Sequence, residues 1–302
     1  MLSDIRILSV AAMFGCAAPI SAQEITPSWP IPVELKWTAV NGYPMAYRDA
    51  GSGAPIVLVH GSTNDYRAWN AQFDVFSATH RVIAVSLRHF YPERWGGEGT
   101  DFSIEQHAKD VAVLIKKLNL GKVHLVGHSR GGAVVVEVAK ANPEIIRTLV
   151  LADASIEMPV PETLEAKEAQ EFTKKLIGTL QNNLKSGDPG RAAEIFVDML
   201  GGAGSWSQLP DSAREMILTN VYTALGDKGR PMTACVDVKK FDFPVLMLTG
   251  EKSPKKFEFF YDEMRKCRAF PASIIIPNAA HAMQRNNPEA FNKATLMFVS
   301  QH

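Results

Sequence analysis

Val123-His124-Leu125-Val126-Gly127-His128-Ser129-Arg130-Gly131-Gly132 is the stretch that decides how this chain is read. A strand-like run from Val123 to Val126 enters the pattern G-x-S-x-G, and the helix-forming segment 133–140 follows. A sharp turn between strand and helix holds the serine in a strained backbone conformation and lifts its hydroxyl above the sheet edge. Gly127 and Gly131 leave room for strand and helix to approach closely. The five-residue pattern is weak by itself. The strand before it and the helix after it give it weight.

Working outward, residues 35–40 and 43–49 read as strands about the turn Asn41-Gly42. Residues 55–59 form an apolar run, as expected of a strand covered on both faces, and stop at His60-Gly61. A helix is expected over 66–76 and a strand over 81–85. The helix over 104–118 carries Ala108, Val111, Leu114, Ile115 and Leu118 on one face, and 148–152 reads as a strand. The alternation then stops. Residues 157–235 hold amphipathic stretches only: Phe172, Leu176, Leu180 and Leu184 share a face, as do Ile217, Val221 and Ala224. Sheet-like pattern resumes with strands at 244–250 and 273–276 and helices at 257–267 and 288–299. Strands alternating with helices imply an α/β fold, a mostly parallel sheet flanked by helices.

The first 22 residues stand apart. Arg6, the apolar stretch 7–20 and Ser21-Ala22 before Gln23 read as a secretory signal peptide. The run is too short to span a bilayer; a buried N-terminal helix is the alternative. Met13-Phe14-Gly15-Cys16 fits a lipoprotein cleavage box poorly. A secreted or periplasmic protein is therefore expected, with no transmembrane segment after the leader. Cys235 and Cys267 then remain, and one disulfide is expected, two separate buried thiols being the alternative. Lys and Arg number 32, as do Asp and Glu, and no basic stretch is interleaved with aromatics. Nucleic acid and anionic membrane surfaces are not indicated as partners, so a small-molecule substrate is expected. Oligomeric state has no signature here. With no H-E-x-x-H, no Cys/His cluster and no Gly-rich phosphate loop, no metal or organic cofactor is expected.

From about Leu35 to the C-terminus the chain resembles the α/β-hydrolase fold family, serine-nucleophile branch. The resemblance makes residues 23–156 and 236–302 the core and 157–235 a helical cap between the sixth and seventh strands. Relatives with an aspartate nucleophile, the dehalogenases and epoxide hydrolases, are disfavoured by Ser129. In such enzymes the catalytic histidine follows the last strand, which implies His281 in Pro277-Asn278-Ala279-Ala280-His281. The acid usually stands three residues after the glycine ending the seventh strand. Gly250-Glu251-Lys252-Ser253 places Ser253 there, and a serine cannot be the charged partner. The other known place is directly after the sixth strand, which implies Asp153; Glu251 is the runner-up. The resemblance puts the oxyanion donors at the main-chain N–H groups of Ser62 and Arg130.

Phe90, Tyr91 and Trp95 after the fourth strand and Trp206 in the insertion are candidates to line the substrate pocket, against simple packing. His60 is read as holding its loop and Arg88 as structural. The expected function is hydrolysis of a small, fairly apolar carboxylic ester or lactone through an acyl-enzyme. Amidase, C–C hydrolase or cofactor-free perhydrolase chemistry with the same three residues is the alternative. A ligand-binding protein on this scaffold is the reading from another class.

Overall fold

The computed structural model describes residues 26–302. The leader expected over residues 1–22 lies outside the described residues. β1 (Lys36–Val40) and β2 (Tyr43–Ala50) form an antiparallel hairpin, with Asn41 and Gly42 at φ 46° and 79° in the turn. The remaining strands are β3 (Pro55–Val59), β4 (Arg81–Val85), β5 (Val123–His128), β6 (Ile146–Ala152), β7 (Val245–Gly250) and β8 (Ile274–Ile276). They assemble in the order β1-β2-β4-β3-β5-β6-β7-β8. β2 runs antiparallel to β4, and every pair from β4 to β8 is parallel.

Every residue of β3 is buried. Val57 and Val59 pack into one hydrophobic cluster, while Ile56 and Leu58 pack into another on the opposite face. The strand period of two splits one apolar run between two layers of helices. The helix expected over 66–76 divides into a 3-10 turn, Tyr66–Trp69, and α1 (Asn70–Ser77). Asp65 is the cause. Its buried carboxylate accepts from the Arg67 N–H at 2.9 Å and is clasped by the same residue's guanidinium, which tightens the first turn. α2 (Ile104–Lys117) starts where Ser103 Oγ accepts from Gln106 N–H, and α3 (Arg130–Ala141) starts directly after Ser129.

Between β6 and β7 lies the helical insertion: α4 (Leu164–Lys185), α5 (Pro189–Gly201), α6 (Asp211–Asn220), a 3-10 stretch Val221–Gly226 and α7 (Cys235–Val238). It has a core of its own, in which Leu176, Leu180 and Leu184 meet Phe196, Leu200 and Ile217. The outgoing and returning chains meet at Glu157 and Met232, and Thr233 N–H donates to the Glu157 carbonyl at 2.8 Å. A disulfide between Cys235 and Cys267, with Cα atoms 5.0 Å apart, ties α7 to α8 (Lys256–Cys267). α9 (Met283–Asn286) and α10 (Pro288–Val299) complete the chain. Among the described residues no helix is long and apolar enough to cross a membrane.

Candidate active site

The parallel strands end together at one edge of the sheet, and the loops there carry the polar groups. Ser129 sits between β5 and α3 at φ 54°, ψ −122°. This is left-handed backbone that a side chain adopts only under strain. The neighbours hold it. Ser129 N–H donates to the Ala152 carbonyl at 3.0 Å, and the Ser129 carbonyl accepts from Ser155 N–H at 2.9 Å. Two glycines make the geometry possible by close approach. A Cβ on Gly131 would collide with the Val59 and His60 carbonyl oxygens, and one on Gly61 would come within 2.8 Å of Ser129 Cβ.

His281 Nε2 lies 2.9 Å from Ser129 Oγ, and its Nδ1 lies 3.1 Å from Asp153 Oδ2. When Asp153 is ionised it can only accept, so Nδ1 then carries the proton and Nε2 accepts from the serine hydroxyl. All three residues are buried. Burial pushes His281 down, to about 3, so its ring is neutral at neutral pH. Burial pushes Asp153 up, to about 7, while the Ser253 hydroxyl pulls it back by donating to Oδ2 at 2.6 Å. Ser253, at the position where the resemblance expected an acid, thus donates its hydroxyl to the carboxylate of Asp153. Glu251 is exposed, and its carboxylate accepts from Asn278 N–H at 2.7 Å instead of meeting His281.

Two further contacts fix the imidazole. His128 Nε2–H donates to the His281 carbonyl at 2.8 Å. The Phe257 ring stacks flat on His281, with centroids 4.6 Å apart and planes at 12°. Phe257 belongs to the hydrophobic core of the insertion.

A cavity of about 300 Å³ opens on Ser129 and His281. Ser62 lines it. Arg130 opens α3, so its N–H has no carbonyl one turn back and lies beside the serine. Its side chain leaves the cavity. The guanidinium donates to His107 Nδ1 at 2.8 Å, lies over Phe102 and sits 3.7 Å from Asp227. His60 holds its loop as read, with Nε2 accepting from Leu87 N–H and Nδ1 donating to the Gly61 carbonyl. Arg88 is clasped by Asp110 and Asp101.

Contrary to the expectation from sequence, Phe90, Tyr91, Trp95 and Trp206 are not among the residues that line the cavity. Phe90 packs in the main core against His60 and Phe102. Tyr91 stacks on Tyr66 beneath the Arg67 guanidinium. Trp95 stacks on His89 and Phe102, and Trp206 packs against the core of the insertion. Phe90 is buried, and the half-buried rings of Tyr91, Trp95 and Trp206 pack on neighbouring side chains rather than facing the cleft. The apolar wall comes instead from Phe196 and Leu200 of α5, from Leu209, and from Ile217 of α6. The polar part of the lining includes Asn64, Gln284 and Arg285. Sequence reading missed both parts. Amphipathic spacing marked Ile217 as apolar but not which way it faced.

The family model described as the alpha/beta hydrolase family matches residues 56–294. The chain belongs to the alpha/beta hydrolase family. Among solved structures, this family member is similar to a thermophilic esterase from Thermogutta terrifontis, with a TM-score of 0.68 and 26% identity over 89% of this chain and 98% of that one. It shares the fold of an enol-lactonase from Burkholderia xenovorans LB400, with a TM-score of 0.68 and 19% identity over 88% of this chain and all (100%) of that one. Among curated proteins it is 28% identical over 260 residues to 2-(acetamidomethylene)succinate hydrolase of Mesorhizobium japonicum, spanning 83% of this chain and 90% of the relative. It is also 32% identical over 124 residues to an uncharacterized protein of Mycobacterium tuberculosis, where the match covers 41% of this chain and 36% of that protein. This alpha/beta hydrolase chain therefore spans about a third of the length of its mycobacterial relatives.

Proposed function

We propose that the chain is a serine hydrolase that cleaves a carboxylic ester or lactone through an acyl-enzyme. The observation that carries this reading is the relay from Ser129 Oγ to His281 Nε2 at 2.9 Å and from His281 Nδ1 to Asp153 Oδ2 at 3.1 Å. A serine hydroxyl is a weak nucleophile until a base takes its proton. His281 takes it as Ser129 attacks the carbonyl, and Asp153 balances the imidazolium that forms. The main-chain N–H groups of Ser62 and Arg130 receive the oxyanion; one such donor is worth on the order of 10²–10³ in rate. His281 then protonates the leaving alcohol, and a water it activates cleaves the acyl-enzyme.

The test is labelling with a fluorophosphonate, followed by peptide mass mapping and turnover of a panel of activated esters, lactones and amides. Label on Ser129 with faster ester or lactone turnover than amide turnover is expected. An unlabelled Ser129 would point to a ligand-binding protein, and amides turned over faster than esters and lactones would move the chemistry to amide hydrolysis.

Ser253 gives the reading a pH signature. Its hydroxyl stabilises ionised Asp153, so Ser253→Ala raises the pKa of that carboxyl further. A protonated Asp153 cannot balance the imidazolium. The acid limb of the kcat/KM profile is expected to move up by about one pH unit, with the rate lost at pH 7 recovered near pH 9. A loss of equal size at all pH values would assign Ser253 to packing alone.

We also propose that residues 1–22 direct export. The Cys235–Cys267 disulfide supports this, because such bonds persist in oxidising compartments.

A further inference from the structure

The cavity over Ser129 holds a charge that the acyl-transfer relay does not use. Arg285 stands on α9, four residues after His281, and lines the cavity beside Gln284. Its Nε is buried without a partner. Burial alone acts on this guanidinium and lowers its pKa; no carboxylate pulls the other way. Arg130 and Arg230 also keep buried nitrogens without a hydrogen-bond partner, but each has a carboxylate within ion-pair reach, Asp227, as Arg88 has Asp110; Arg285 has none among the described residues. Lys252 adds a second cation at the exposed rim. Among the described residues, no aspartate or glutamate lines the cavity. Asp153 lies behind His281, outside the lining.

A guanidinium held in a cleft without an anion is costly unless something completes it. Its planar fork matches a carboxylate, and the pairing is stronger out of water. The wall contributed by Phe196, Leu200 and Ile217 takes the apolar part of a ligand, and the volume of about 300 Å³ keeps that ligand small.

We infer that the substrate carries an ionised carboxylate besides the scissile ester or lactone, and that Arg285, with Lys252 at the rim, is the subsite that receives it. The inference rests on the hydrolase reading above and amends its expectation of a fairly apolar substrate. The enzyme would thus act on a half-ester of a short dicarboxylic acid or on a lactone bearing an acid group. Products would be a dianionic acid and an alcohol, or a hydroxy dicarboxylate.

The test compares monomethyl glutarate with methyl pentanoate, which has nearly the same length and no charge, by pH-stat in wild type, Arg285→Gln and Arg285→Lys. Wild type is expected to favour the half-ester by about tenfold or more in kcat/KM, the range of one charge-assisted pair. Arg285→Gln should bring the ratio to one or below, mainly through KM, and Arg285→Lys should keep part of it. Thermal melts check that each variant is folded. Equal use of both esters by wild type, or an unchanged ratio in folded Arg285→Gln, overturns the subsite. If neither ester is cleaved, the ester reading is what has failed, and calorimetry with glutarate judges the subsite separately. Binding weakened about tenfold by Arg285→Gln supports it, and equal or absent binding overturns it.

Discussion

Ser129→Ala is expected to lower kcat on esters by a factor on the order of 10⁴–10⁶ while leaving the fold in place. The hydroxyl is the only group of this side chain that the relay uses, and its Oγ meets His281 at 2.9 Å. The strained backbone at φ 54° is held by Ala152 and Ser155, through main-chain atoms that alanine keeps. The melting temperature should therefore change little. Steady-state kinetics on an activated ester, with the variant's mass verified, is the measurement. Turnover within tenfold of wild type would remove Ser129 from the chemistry.

Asp153→Asn is expected to cost on the order of 10³–10⁴ in kcat, because it deletes the negative charge that balances the imidazolium. Asp153 is fully buried beside His281 Nδ1, so no solvent ion can replace it. Glu251→Gln should stay within about twofold, since that carboxylate serves only the Asn278 amide within the structure described. Parallel kcat measurements on the two variants decide between them. The opposite order would place the acid at Glu251. Because Asp153 is buried and accepts from the Ser253 hydroxyl, thermal melts of both variants separate a loss of charge from a loss of fold.

Which parts of this site a reader of the sequence could see follows from how far each contact reaches along the chain. The turn at Ser129 is local, written in Gly127 and Gly131 within two residues of the serine, and so the strand, turn and helix were all legible. The sheet was legible because β3, β4 and β7 are apolar runs of the right length. Asp153 could be proposed because Ser253 stood where an acid was expected. That Ser253 donates to Asp153 was not legible, since the contact joins positions 100 residues apart. The aromatic loop after β4 misled for a related reason. Phe90 and Trp95 look like pocket walls by their place near the sheet edge, yet Phe102 and His89 offered them partners inside. The walls that do face Ser129 come from α5 and α6, whose orientation depends on packing across the whole insertion. Arg285 was within reach of sequence reasoning, since it lies only four residues past His281.

Phe257 makes the imidazole a mechanical neighbour of the insertion. Its ring stacks on His281 and lies 4.8 Å from the Lys256 ammonium, and the residue belongs to the same buried cluster as the leucines of the insertion. Selectivity and rate are consequently not separable knobs in this molecule. Reshaping the cap to admit a bulkier acyl group shifts the platform on which the base rests. A library that varies cap residues for a new substrate should therefore hold Phe257 fixed and score turnover alongside affinity.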